Sequence, residues 1–135
     1  MQITPVATTP ADFVPGIITD EEAAAGLRAV LNVFRHWNLS DSQSADLVDT
    51  TPRTFARWKT GKSGKMGRDQ KERVATILGI HKALRILFVD QQRAYAWVKA
   101  PNSAFGGTAA LDIMLEGGLL GLTRIRRYLD AVRGG

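Results

Sequence analysis

The sequence contains no cysteine, which excludes disulfide bonds, thiolate metal ligands and cysteine nucleophiles. It contains only two histidines, His36 and His81, and neither has a Cys, Asp or Glu neighbour at the spacing of a metal site. No Gly-x-Ser-x-Gly turn surrounds a serine. Asp112 and Glu116 lie four residues apart, but a pair of carboxylates without a pocket is not a catalytic site. We therefore expect no catalytic activity, no metal and no cofactor.

Long hydrophobic runs are also absent. A stretch such as Ile86–Val89 is far too short to cross a bilayer, which needs about 20 apolar residues. The N-terminus has neither the basic segment nor the apolar core of a secretory signal, so we expect a cytoplasmic protein that does not associate with a membrane. Alternating runs of β-branched residues are few, and Ala, Leu, Arg and Glu dominate. This composition predicts an all-α fold.

The charge of the sequence is unevenly distributed. The net charge is +5, but residues 1–49 carry two basic and seven acidic side chains. Residues 50–75 reverse this balance with eight basic and two acidic side chains, and residues 124–135 form a second basic zone with four arginines and one aspartate. A polyanion such as DNA can bind the first basic zone, because its phosphates are neutralised and counterions are released.

Three short helices are predicted in the first half of the chain. Thr19 caps the first, which runs to about Trp37. Ser40 begins the second, and Thr51 caps the third with Pro52 at its first position, where the missing N–H has no cost. A short helix, a tight turn and a second short helix form a helix-turn-helix, whose second helix lies in the major groove of DNA.

The third predicted helix exposes polar and basic side chains near its start, as entry into a DNA groove requires. Arginine can contact guanine through two hydrogen bonds, whereas lysines in the glycine-containing loop after the helix suit backbone phosphates. The candidate DNA-binding residues are Arg53, Thr54, Arg57, Lys59, Lys62 and Lys65. A solvated basic face on a helical hairpin is the alternative interpretation of the same pattern.

The helical period continues beyond the first basic zone. A long helix from Arg68 is predicted to end or bend at Gly79. Thr108 is predicted to cap a later helix, the glycines at positions 117 and 118 interrupt the chain again, and a last helix follows. That last helix directs its apolar residues inward, including Val132 near its end.

The most distinctive stretch lies before this interruption. A helix that ends in tryptophan is followed by a Pro-Asn pair, a Phe-Gly-Gly turn and a leucine-rich short helix, and its motif residues are Trp97, Pro101, Asn102, Phe105, Gly106, Gly107 and Leu111. Core packing and close backbone approach are one interpretation of these residues. The pattern also resembles the toxin-binding domain of the Xre/MbcA/ParS antitoxins, and the preceding helix-turn-helix resembles the Xre-like unit of that family. One departure is Ala110, where the family usually has proline; alanine is compatible with a helix.

The resemblance implies an antitoxin whose usual partner is a RES-domain toxin, an enzyme that looks like an ADP-ribosyltransferase and consumes NAD⁺. Such antitoxins cover the entrance to the toxin's active site and repress their own operon through the helix-turn-helix. Under this resemblance Arg124, Arg127 and Arg133 in the second basic zone are candidate toxin-binding residues. A solvated terminal helix with cations near its negative end is the alternative.

The expected organisation is a flexible N-terminal arm over residues 1–19, a helix-turn-helix domain over residues 20–66 and a toxin-binding and dimerisation domain over residues 67–135. Operator DNA and at least a homodimer are expected, because repressors commonly pair on palindromic operators. The apolar stripe of residues 74–98 can provide the dimer interface, although core packing explains it equally well. One rival interpretation is a stand-alone transcription regulator whose C-terminal domain only oligomerises. A second is a protein-inhibition module whose helix-turn-helix has lost DNA binding.

Overall fold

The computed structural model describes residues 19–62 and 64–134. Within these residues the chain forms six α-helices: α1 (Asp20–His36), α2 (Asp41–Leu47), α3 (Pro52–Lys59), α4 (Arg68–Leu87), α5 (Gln91–Trp97) and α6 (Ala110–Val132). The same residues contain no β-strand and only one isolated bridge, between Pro101 and Ala109. The prediction of an all-α fold is therefore confirmed. The predicted arm lies outside the described residues, except for its last residue.

Side-chain caps begin the first three helices at the predicted positions. The Thr19 hydroxyl accepts a hydrogen bond from the N–H of Glu22 at 3.0 Å, and the Glu22 carboxylate accepts one from the N–H of Thr19 at 2.9 Å. The Ser40 hydroxyl accepts a backbone N–H at 3.1 Å in α2, and the Thr51 hydroxyl accepts the N–H of Thr54 at 3.1 Å in α3. These bonds satisfy donors that have no partner within the helix, and each contributes about 1 kcal/mol.

The fourth helix lies at the centre of the fold. It packs against α1 and against α6, while α2 packs against α3 and also contacts α6. Ile77 and Ile80 of α4 are fully buried, and they belong to one core cluster that extends from α1 to α6. The predicted apolar stripe of residues 74–98 therefore contributes to this core. Because one helix supports both halves of the chain, the helix-turn-helix and the C-terminal half share a single core.

Two of the predicted helix boundaries are wrong. Helix α4 neither ends nor bends at Gly79 but continues to Leu87. A Cβ atom at position 79 would meet the guanidinium of Arg126, so this side chain of α6 lies directly over the glycine. Thr108 does not cap α6, because the cap position is Ala109 and has no side-chain hydrogen bond.

Val132 is also placed differently from the prediction. Its side chain is 52% exposed, although Ile125 and Leu129 of the same stripe are fully buried. The periodic pattern continues to the end of α6, but no element within residues 19–62 and 64–134 covers Val132 in the last turn. Hydrophobic periodicity predicts which side of a helix faces the core, whereas the neighbouring elements decide how far along the helix the core extends.

Helix α6 turns sharply at Gly118, where φ is 59° and ψ is −137°. A Cβ atom at Gly121 would overlap the carbonyl oxygen of Ile113, eight residues earlier. Residues eight apart in a straight helix are separated by about 12 Å along its axis, so the two halves of α6 meet at a corner. The predicted interruption at Gly117 and Gly118 is confirmed, and helix continues on both sides of it. We call residues 117–121 the glycine corner.

Candidate functional site

A tight turn joins α2 to α3. Asp49 has a φ of 57°, and the N–H of Thr50 donates to the carbonyl of Ala45 at 2.9 Å, which closes the end of α2. On α3, Phe55 and Trp58 are buried against the core. These anchors orient the opposite side of α3 towards solvent, which is the arrangement in which the second helix of a helix-turn-helix can enter a DNA groove.

The outward side of α3 carries the predicted readout residues. Arg53 and Arg57 are exposed and lie one turn apart, while Thr54 is half-buried. Neither guanidinium has an ion pair with any residue that the structure describes. Both arginines are therefore available to a phosphate or a base edge without first breaking an internal contact.

The three predicted lysines have different surroundings. The ammonium group of Lys59 contacts both carboxylate oxygens of Asp41, at 2.9 and 3.2 Å, and this contact joins the end of α3 to the first turn of α2. Lys62 and Lys65 are exposed in the loop before α4. The charge of Lys59 is thus compensated by a carboxylate, whereas Lys62 has no ion pair with a described residue.

Lys65 lies within electrostatic range of the first turn of α1. The pKa of Asp20 is lowered mainly by its hydrogen bond and ion pair with Lys71, at 2.9 Å, and to a smaller degree by Lys65. This lysine is partly compensated by a carboxylate as well. Lys65 therefore feels the charge of Asp20, although no ion pair joins the two among the described residues.

The distinctive loop between α5 and α6 is a compact turn built on Asn102. Its side-chain oxygen accepts the N–H of Ala104 at 2.9 Å, and its backbone carbonyl accepts the N–H groups of Phe105 and Gly107 at 3.0 and 2.8 Å. Gly106 and Gly107 have φ values of 66° and 90°, which glycine adopts at no steric cost. This turn chemistry fixes the backbone from which the Phe105 side chain projects.

The Phe105 ring joins an aromatic cluster with Trp97 and Tyr128. Its centroid lies 6.2 Å from that of Trp97 and 4.9 Å from that of Tyr128, both edge to face, and the other two rings stack at 6.3 Å. The Arg124 guanidinium lies 5.7 Å from the centroid of the Phe105 ring, within the range of a cation–π contact. The loop is thereby attached to α6, and it supports Arg124 at the surface.

The remaining motif residues, Pro101 and Leu111, make backbone contacts at the two ends of this loop. Pro101 is exposed and forms the isolated bridge with Ala109. Leu111 is buried, and its N–H donates to the carbonyl of Val98 at 2.9 Å. The end of α5 therefore takes part in starting α6, in place of the side-chain cap that was predicted. Tyr128 was not predicted from the sequence as part of this cluster; its signal is its position four residues after Arg124 on one helix face.

Comparison with known protein families gives two matches, one for each half of the chain. Residues 16–83 match the antitoxin Xre-like helix-turn-helix domain, and residues 83–135 match the antitoxin Xre/MbcA/ParS C-terminal toxin-binding domain. The chain belongs to the Xre/MbcA/ParS antitoxin family. The two matches meet inside α4, the helix that this antitoxin uses to support both halves. The resemblance of the sequence motifs to this family is confirmed.

Two individual relatives of the antitoxin are informative. The uncharacterized protein y4oB from Sinorhizobium fredii is 43% identical over 112 residues, which cover 82% of this chain and 86% of that protein. The antitoxin is also similar in structure to a chain in the crystal structure of the M. tuberculosis MbcT-MbcA toxin-antitoxin complex. That likeness has a TM-score of 0.50 at 19% identity and covers 85% of this chain and 94% of the other. At this identity it supports the fold.

The three predicted toxin-binding arginines of the antitoxin do not converge on one point. Arg124 and Arg127 are exposed within one turn of each other, and Arg127 has no ion pair among the described residues. Arg133, at the end of α6, lies about 13.5 Å from Arg124 and about 9 Å from Arg127 along the axis by the helical rise. Its guanidinium contacts the Asp130 carboxylate at 3.4 Å. Arg124 and Arg127 therefore form the basic centre of this face.

The two histidines of the antitoxin stack on one tyrosine. The His36 ring lies 4.7 Å from the Tyr95 ring and the His81 ring lies 6.3 Å from it, each nearly parallel to it. No group of three or more potential metal ligands occurs within residues 19–62 and 64–134. Among the helices of this part of the chain, none has the length and apolar character that a membrane span needs.

Proposed function

We propose that this antitoxin binds and inhibits an NAD⁺-consuming RES-domain toxin by covering the entrance to its active site, and that it represses its own operon by binding operator DNA in the cytoplasm. The observation that carries the proposal is the combination, in one chain, of an outward-facing basic α3 with a C-terminal unit matched as toxin-binding. In this proposal residues 20–66 contact DNA and residues 67–135 contact the toxin and a second antitoxin.

The DNA-binding part is supported by the free arginines of α3. Arg53 and Arg57 lie in the first two turns, where a recognition helix meets base edges and phosphates. Thr54 lies between them and is positioned by the cap of α3. Lys62 extends the same charge beyond the helix, while Lys59 and Lys65 contribute to the field only in part because carboxylates lie near them. We expect the arginines to provide specificity and the lysines to provide affinity.

The toxin-binding part is supported by the basic face of α6. Arg124 is positioned by the Phe105 ring and Arg127 is exposed without an ion pair in the described chain. Guanidinium groups form strong contacts with carboxylates and phosphates, and a pocket that binds NAD⁺ must accept phosphate groups. We propose that these two arginines, with Arg133 at the end of the helix, contact acidic groups around that pocket or on the toxin surface.

Co-expression with the product of the adjacent gene tests this function. The antitoxin carries an affinity tag, the complex is recovered by pull-down, and NAD⁺ consumption is measured before and after the antitoxin is removed. We expect a stable complex without activity and a toxin that consumes NAD⁺ once it is released. If no protein co-purifies and NAD⁺ is not consumed, the antitoxin function is wrong, and a stand-alone DNA-binding regulator becomes the better interpretation.

A further inference from the structure

The glycine corner creates a surface that neither the helix-turn-helix nor the arginine face explains. Leu120, just after the bend, is 82% exposed. Beside it the two halves of α6 enclose a shallow depression of about 300 Å³, lined by Ile113, Glu116, Gly117, Leu120, Gly121 and Arg124. A single exposed leucine is ordinary on a protein surface, so a contact site is indicated here by the depression and by the charges beside Leu120.

Two opposite charges flank this leucine. Glu116 precedes the bend and Arg124 follows it, each four residues from Leu120, and both are exposed. Neither has an ion pair with a residue in the described part of the chain. The Arg124 guanidinium is held over the Phe105 ring, so its position is already restricted before any partner binds. The corner therefore presents an unpaired carboxylate, a leucine and an unpaired guanidinium together.

This combination is complementary to itself. In a two-fold symmetric dimer the same patch is used by both subunits, so residue i of one subunit contacts residue j of the other and the reverse. We propose that the glycine corner is the surface on which two copies of this chain associate. Leu120 of one copy packs into the depression of the other, and Glu116 pairs with the partner's Arg124 twice across the axis.

The size of the patch determines the strength of this contact. A stable protein interface buries about 800 Å² on each partner, and the depression with its rim is smaller. The dimer is therefore concentration-dependent and weakens as salt screens its exposed ion pairs. Arg124 cannot contact a toxin and a second copy at the same time, so a toxin that engages Arg124 displaces the second copy from this corner.

Sedimentation velocity of the full chain over a range of concentrations tests the proposal. We expect the wild-type protein to change from monomer to dimer as concentration rises. Glu116→Arg and Arg124→Glu each place like charges opposite one another, and each raises the dimer dissociation constant by about tenfold or more. The double variant Glu116→Arg/Arg124→Glu restores the opposite pairs and returns the constant to near the wild-type value. Arg127→Glu, on the same helix outside the depression, leaves it unchanged.

Other results overturn the proposal. A wild-type chain that stays monomeric, single reversals that do not change the mass, or a double variant that remains monomeric each exclude this pairing. If Glu116→Arg leaves the mass unchanged but abolishes binding of the adjacent gene product, the corner belongs to the toxin instead. Leu120→Ala removes only exposed atoms, so it should fold even if a charge reversal does not. It should also raise the dimer dissociation constant. Because the antitoxin is measured alone, this result is independent of the proposed toxin.

Discussion

The stack of His36, Tyr95 and His81 joins α1, α4 and α5 at the level of single side chains. Burial lowers the pKa of His81 below its ordinary value of about 6.5, and the nearby Arg85 and His36 lower it further. In the unfolded chain His81 takes up a proton at a higher pH than in the folded protein. Its contribution to stability is therefore complete above about pH 6.5 and is lost as the pH falls from there through the folded pKa.

Replacing His81 with phenylalanine should remove part of the pH dependence of stability. Thermal unfolding at about pH 7.5 and about pH 5.5 should show a lower Tm at the acidic pH for the wild type and a smaller decrease for His81→Phe, which keeps an aromatic ring but cannot be protonated. Asp20 and Glu22 also have lowered pKa values, but they lose their contribution only below their ordinary values of 3.8 and 4.5. Equal decreases in the two proteins would contradict this assignment.

The glycine corner is the element whose shape depends most on residues without side chains. At Gly118 the backbone angles lie in the left-handed region, and at Gly121 the backbone of the preceding half of α6 occupies the space of a Cβ atom. Gly117 provides a matched contrast, because no atom of the described residues lies within 4 Å of a Cβ built there. The geometry of the corner therefore requires glycine at positions 118 and 121 but not at position 117.

Alanine substitutions should separate these glycines. Gly121→Ala forces the two halves of α6 apart and should lower the free energy of unfolding by about 2 kcal/mol or more. Gly117→Ala should be neutral or should raise it by up to about 1 kcal/mol, because alanine restricts the unfolded chain and favours helix. Urea unfolding followed by far-UV circular dichroism measures both. Comparable effects from the two variants would show that the corner is not packed as described.

At the scale of the molecule, the two proposed binding surfaces lie on different elements of one core. Arg53 and Arg57 are on α3, which packs against α2, whereas Arg124 and Arg127 are on α6, which packs against α4. Among the described residues, no ion pair joins Arg53 or Arg57 to α6, and none joins Arg124 or Arg127 to α3. Changes of charge on one surface should therefore leave the other surface and the fold intact.

The double reversal Arg53→Glu/Arg57→Glu should abolish operator binding and spare toxin inhibition. Each arginine contact to a base or phosphate is worth about 1–3 kcal/mol, so the pair accounts for at least about thirtyfold in affinity. Binding of a DNA fragment from the operon's own promoter, measured over a salt series, should weaken steeply with salt for the wild type. Arg127→Glu is the matched control on the other surface. Loss of both activities in the double reversal would point to misfolding or to a shared oligomer.

Features whose causes lie within a few residues follow from the sequence of this protein without its tertiary structure. The caps at Thr19, Ser40 and Thr51 depend on hydrogen bonds across three residues, and the helical period follows from the repeat of apolar residues. The loop motif is equally local, because Asn102 and the glycines form their turn among themselves. The all-α fold, the outward face of α3 and the family could therefore be predicted.

The tertiary structure alone decided the features that need two distant segments. Gly79 lies inside α4, the helix that packs along α6, and the start of α6 bonds to the end of α5 in place of a cap at Thr108. Lys59 has its carboxylate partner in another helix. The corner at Gly118 was located by sequence, but its depression exists because one half of α6 folds against the other. Local patterns specify helices, whereas contacts between residues far apart in the chain specify which surfaces remain free.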